Sequence, residues 1–318
     1  MGNLPRTAAV VTLVAMSKWV EVTEVDRPAA MVAAEILKLR MQHVQQMLPL
    51  AAGEYRRDIR HVHQLRVGCR RAGAALQGFR PLVTAKARRL QKWLGKLRRA
   101  AGQARDADVL LERLCSESDN QPGHTYVVAR LERQRHKVQR TLVDVAAQAG
   151  SGEFHASIKR CVIALRKQSG KKKSAIRFDV FAHEALRSVS RGMFQLSELE
   201  QPTVAQLHQL RIAGKRLRYS IELFHSAFPA ALREEVYPLV EKIQLRLGRL
   251  NDHVTAQVLF QHWLADLPPN ERAAQLALRI VEEHQAGDQI RREFLQWWTA
   301  KRVATLESHL SDLIHKGP

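Results

Sequence analysis

The sequence predicts an all-α protein. From Arg27 onward Leu, Ala, Arg, Gln, Glu and Lys dominate, apolar positions recur three and four residues apart, and alternating β-branched runs are scarce. That pattern belongs to amphipathic helices and not to strands. Of the 318 residues 45% are apolar, enough to build real cores at a length that suits one or two domains.

Taken in order, residues 1–27 read as a short segment outside the core. Their longest apolar run, residues 8–16, is interrupted by Thr12 and falls far short of the ~20 residues a membrane-crossing helix needs. One Arg, Arg6, and no convincing small-residue cleavage site make a poor signal peptide. Helix breakers then divide the chain at Gly53, Pro81, Gly102, residues 119–123, Gly150 to Gly152, residues 169–174, Pro202, Pro229 and residues 267–270. These stops predict about ten to twelve helices. The stretch Ser-Gly-Lys-Lys-Lys-Ser at 169–174 reads as a solvated linker, because adjacent like charges and small residues favour an extended backbone. It separates a first bundle, residues 28–168, from a second, residues 175–318.

The midpoint position of that linker is matched by an internal repeat. Residues 63–71 read His-Gln-Leu-Arg-Val-Gly-Cys-Arg-Arg and residues 208–216 read His-Gln-Leu-Arg-Ile-Ala-Gly-Lys-Arg, five identities in nine at an offset of 145. A second, collinear match at offset 146 aligns Lys96 with Lys242, Gly102 with Gly248, and Arg105-Asp106 with Asn251-Asp252. A duplicated helical unit accounts for both.

On a helical projection from His63, at about 100° per residue, Leu65, Cys69, Ala72, Leu76 and Phe79 fall between about 160° and 240°, while His63, Arg66 and Arg70 fall between about 0° and −60°. The second copy has Leu210, Leu217, Ile221 and Phe224 on the apolar arc and His208, Arg211, Lys215 and Arg218 on the basic one. The basic arc is thus expected to be the unpacked face. Carboxylates that would pair such a stripe on a merely soluble helix are nearly missing. Further helices add Lys86, Arg88, Arg89, Lys92, Lys96 and Arg99, then Lys242, Arg246 and Arg249, within a chain of formal charge +20. An external polyanion is the implied partner. Among cations, His63 and His208 are suited to donating to phosphate, and a bound anion favours their charged form.

The Arg105-Asp106-Ala107-Asp108 and Asn251-Asp252-His253 elements each follow a Gly and are expected to cap the start of a new helical run. Cys69, Cys115 and Cys161 form no CxxC pair and no even framework, which predicts a reducing, cytoplasmic setting. No metal-ligand cluster, phosphate-binding glycine loop or nucleophile elbow is present, so neither a cofactor nor a catalytic residue is predicted. Trp297 and Trp298 read as core.

The twice-occurring pattern His-x-x-Arg-x-x-x-(Arg/Lys)-Arg, followed by Gly and then Arg/Asn-Asp, resembles the CHAD family, the conserved histidine α-helical domain, over about residues 28–315. The resemblance implies two helical bundles related by a pseudo-two-fold axis, basic side chains lining a central cavity, binding of inorganic polyphosphate, association with polyphosphate granules, and no catalytic activity. Carried over, the binding residues are His63, Arg66, Arg70 and Arg71 in the first copy and His208, Arg211, Lys215, Arg216 and Arg218 in the second, with Lys96, Lys242 and Arg105 as further basic positions. Gly73 stands where the second copy has Arg218, so the first half is expected to contribute fewer contacts. Many relatives carry an N-terminal CYTH domain; the stretch before residue 28 is too short for its barrel, and triphosphatase activity is not expected. A nucleic acid is the second-choice partner. Against it stand an aromatic content of 6% and the lack of any base-reading signature.

Overall fold

Ten α-helices carry the regular structure in the computed structural model, which describes residues 17–54, 58, 60–83, 85–116, 123–169, 176–197 and 199–315. They are α1 (Ala29–Gly53), α2 (Arg60–Gly78), α3 (Arg88–Cys115), α4 (His124–Gly150), α5 (Glu153–Ser169), α6 (Phe178–Phe194), α7 (Val204–Phe224), α8 (Tyr237–Ala265), α9 (Glu271–Trp297) and α10 (Ala300–His315). Among the described residues the extended pairing is confined to one isolated bridge between Pro28 and Arg177. The fold is all-α, as the periodicity predicts.

Local chemistry sets several boundaries. Thr203 and Gln206 form a capping box at the start of α7, two orphan amides being satisfied reciprocally. Asn270 accepts from the Ala273 amide at the start of α9. Gly123 and Gly152 take φ of 70° and 92° before α4 and α5, a left-handed backbone that glycine adopts without penalty.

In the first five helices α1 packs on α2, α2 on α3, α3 on α4, and α5 returns to α1; in the second five, α6 packs on α7, α7 on α8, α8 on α9, and α10 returns to α6. One apolar core fills the first set and takes in Phe178, Phe181 and Phe224 from the second. Another fills the second set. A third, smaller core joins the far ends of α3 and α4 (Leu110, Leu114, Val127, Leu131) to those of α8 and α9 (Phe260, Trp263, Leu276). The two sets therefore meet along two apolar seams.

Three expectations are corrected. Gly102 and Gly248 do not break helices: α3 and α8 run through them, so Arg105-Asp106 and Asn251-Asp252 are mid-helix residues and not caps. Around Gly102 the run Leu97, Ala100, Ala101 and Ala104 is buried, and that packing outweighs the ~1 kcal/mol helix penalty of one glycine. Residues 17–27 are not outside the core. Val20 is buried, its amide donates to the Glu222 carbonyl, the Val22 amide donates to Ser226 Oγ, and Arg40 holds the Lys18 carbonyl at 3.0 Å. This strap lies against both helix sets. Of the predicted linker, Ser169 ends α5 and residues 170–174 lie outside the described residues, as do residues 1–16.

Candidate functional site

The two copies of the basic motif lie on α2 and α7, and these helices pack against each other. The basic arc is therefore not an unpacked face, as the projection suggested, but lies where the two helix sets meet. Arg66 and Arg70 from α2 come within electrostatic reach of Arg211, Lys215 and Arg218 from α7. Close approach has identifiable sources. A Cβ on Gly78 of α2 would sit 2.8 Å from Leu223 Cδ2 of α7, and on the α7–α8 side one on Gly214 would sit 2.6 Å from Gln244 Nε2, the atom that donates to the Arg211 carbonyl at 3.1 Å.

Acidic partners come from α3 and α8. Arg66 Nη1 donates to Asp106 Oδ1 at 2.7 Å, and Arg211 has both Asp252 and Asp106 within electrostatic reach. Four cations, Arg66, Arg70, Arg211 and Lys215, thus gather with two carboxylates, Asp106 beside Arg66 and Arg211 and Asp252 beside Arg211. The side chains respond as like charges in a restricted solvent must. Burial, then Arg211, Arg70, Arg66 and Arg218, pull the Lys215 ammonium down to about 7. Burial likewise lowers Arg70 and Arg211. The Nε atoms of both arginines are buried without a hydrogen-bond partner. Unpaired charged donors of this kind are costly, and an anion is the group that satisfies them.

The histidines stand at the edge of this cluster. Burial and the charges of Arg105, Arg70 and Arg66 lower His63 below the ordinary imidazole value. His208 is exposed, with Nδ1 3.1 Å from Asn251 Oδ1. Positions 105 and 251, aligned by the repeat, each neighbour the histidine of their own half.

The other six predicted residues are spoken for, remote or at the edge of the cluster. Arg71 does not face the cluster: its Nε donates to Glu222 Oε2 at 3.2 Å, and Glu222, 3% exposed on its side chain, also accepts from the Tyr237 hydroxyl at 2.8 Å. Arg218 is divided between the two sites. Burial pulls it down but Tyr219 and Glu222 carry it above its ordinary value; its Nη2 donates to Tyr219 Oη at 2.9 Å, and its Nε lies 3.7 Å from Glu222 Oε1. Arg216 points to solvent. Lys96 and Lys242 are exposed, Lys96 lying 5.2 Å from the Trp93 ring centre. Arg105 is half-buried beside His63.

Sequence reasoning missed Tyr219, Glu222 and Tyr237. Tyr219 lies between the guanidinium groups of Arg70 and Arg218, at 5.6 Å and 4.9 Å from its ring centre. Glu222 was within reach of inspection, because it follows Arg218 by four residues on the same helix. Asp106 and Asp108 are both engaged by guanidinium groups, those of Arg66 and Arg135. Among the described residues no group of three or more His, Cys, Asp or Glu side chains is placed to hold a metal ion. Trp297 and Trp298 pack at the edge of the second core, as expected, and Arg246 and Arg302 each lie 4.7 Å from the Trp297 ring centre.

A model of the CHAD domain family matches residues 35–261 of this sequence, which includes both copies of the motif. The chain belongs to the CHAD family. Two solved structures share its fold. The crystal structure of the CHAD domain from the plant Ricinus communis is 21% identical, with 92% of this chain and 95% of that one aligned at a TM-score of 0.68. PptA from Streptomyces chartreusis is 19% identical, with 85% of this chain and 99% of that one aligned at a TM-score of 0.58. No curated protein sequence matches. In this CHAD chain no helix among the described residues is long and apolar enough to cross a membrane.

Proposed function

We propose that this protein binds inorganic polyphosphate at the α2–α7 cluster and thereby sequesters the polymer or is targeted to polyphosphate granules, with no bond made or broken. The observation that carries the reading is the concentration of Arg66, Arg70, Arg211 and Lys215 between packed helices with too few carboxylates to neutralise them. Membership of a family whose general property is polyphosphate binding supports it. A polyphosphate strand bears a charge on every unit and is thin and flexible, so it suits cations recessed between helices. Binding gains from charge-assisted hydrogen bonds and counterion release. Arginines already held by packing lose little freedom on binding, and their forked donors match phosphate oxygens. A stiff duplex reaches exposed cations such as Arg216 more readily than recessed ones.

Replacing Arg70, Arg211 and Lys215 together by Ala tests the assignment. Affinity for long-chain polyphosphate is expected to fall by at least about a hundredfold, with the helical circular dichroism unchanged. Equal binding by the triple variant overturns it.

A further inference from the structure

A second basic site lies on the outer side of the first helix set, where α3 and α5 diverge. A cleft of about 460 Å³ is lined by Ala85, Arg88, Arg89 and Lys92 on one wall and by Arg160, Ile163, Ala164 and Lys167 on the other. The four on the α5 wall fall at i, i+3, i+4 and i+7, the spacing that sets side chains in one stripe, and Lys92 follows Arg88 and Arg89 at i+4 and i+3 on α3, with Ala85 in the short 3-10 turn before it. Arg89 and Arg160 both donate to Glu153 Oε1, each at 2.9 Å, which ties the walls together. Arg88, Lys92 and Lys167 have no acidic partner among the described residues. From Arg88 to Arg105 along α3 is about 25 Å at the helical rise, so this cleft is distinct from the α2–α7 cluster and its argument does not rest on the polyphosphate reading.

The chemistry of the lining differs from that of the cluster. Cations stand along both walls, while Ile163, 42% exposed, and the two alanines give an apolar strip between them. An inorganic polyanion gains nothing from covering that strip. A ligand with a planar apolar body and a phosphate tail gains from both parts, and the volume lies in the ordinary range of small-molecule sites, about 300–1,000 Å³. We propose that this cleft binds a phosphorylated small molecule of the nucleoside triphosphate class, its base against Ile163 and Ala164 and its phosphates on Arg88, Lys92 and Lys167.

Calorimetric titration of the full chain with ATP, adenosine and inorganic tripolyphosphate tests this, the three ligands being compared in the Arg70→Ala, Arg211→Ala, Lys215→Ala variant so that tripolyphosphate does not also occupy the central cluster. ATP is expected to bind more tightly than either fragment by at least about tenfold. Lys92→Glu combined with Lys167→Glu is expected to abolish ATP binding and leave long-chain polyphosphate binding intact, and Ile163→Asp, at an exposed position, to remove the preference for ATP over tripolyphosphate. Lys215→Ala is expected to leave ATP binding unchanged. The proposal is overturned if tripolyphosphate binds as well as ATP, if the double charge reversal has no effect, or if Lys215→Ala removes ATP binding, which would place the nucleotide in the central cluster.

Discussion

Lys215 is the residue at which binding and stability pull in opposite directions. Its folded value of about 7 lies below the ordinary 10.5 of lysine because it is buried among arginines. In the unfolded chain it stays charged up to about 10.4, so its cost to folding is fully present below pH 7 and is relieved as pH rises from 7 towards 10.5. An anion beside it favours the charged form. Polyphosphate binding is therefore expected to take up protons above pH 7, and affinity to decline with rising pH above 7 while staying level with respect to this group below it. Titrations in buffers of different ionisation enthalpy measure the uptake. Lys215→Arg, which holds its charge throughout, is expected to flatten the pH profile and retain binding. Lys215→Met is expected to raise the denaturation midpoint and weaken binding together, the mark of a functional residue held against a stability cost; a lower midpoint contradicts the account. At this scale the sequence was informative about residue types and less so about their engagement. The repeat located Arg66, Arg70, Arg211 and Lys215, but nothing in their own helices told that Asp106 would pair with Arg66 or that Glu222 would draw Arg71 away. Those pairings depend on which helices become neighbours.

At the scale of elements, the helix periods, the capping box at Thr203 and the stops at Gly53, Pro81 and Pro202 are legible because each is a local signal. Gly102 and Gly248 were misleading for the same reason. Intrinsic propensity marks a glycine as a stop, whereas burial on either side of Gly102 carries α3 through it. The strap of residues 17–27 was hidden because its stability comes from contacts with α1 and α7 and not from its own pattern. The α2–α7 junction predicts two stability effects. Gly78→Ala drives a methyl against Leu223 and Phe224 in a filled core and is expected to cost about 1–3 kcal/mol. Glu222→Ala removes the buried carboxylate to which Arg71 Nε and the Tyr237 hydroxyl both donate, with an expected cost of about 3–5 kcal/mol. Urea denaturation measures both. Values near zero for both variants contradict the junction as described.

For the molecule as a whole, the net charge of +20 foretells a polyanionic partner but not where it binds. The fold supplies the place, bringing two motifs 145 residues apart in sequence onto facing helices between apolar seams. Only the repeat hinted at that meeting. Since four recessed cations carry the contact, log K is expected to fall with log salt at a slope of about −3, and the alanine triple variant to lose most of that slope. A general polyanion surface would engage many more of the 51 basic residues and give a steeper dependence. The central claim is that a flexible phosphate polymer is selected by the recessed cluster. Its most direct test is displacement of labelled long-chain polyphosphate at near-physiological salt by unlabelled polyphosphate, duplex DNA, single-stranded RNA and orthophosphate. Displacement by polyphosphate alone is the predicted result; displacement by DNA or RNA at equal phosphate concentration contradicts the claim and makes nucleic acid the partner.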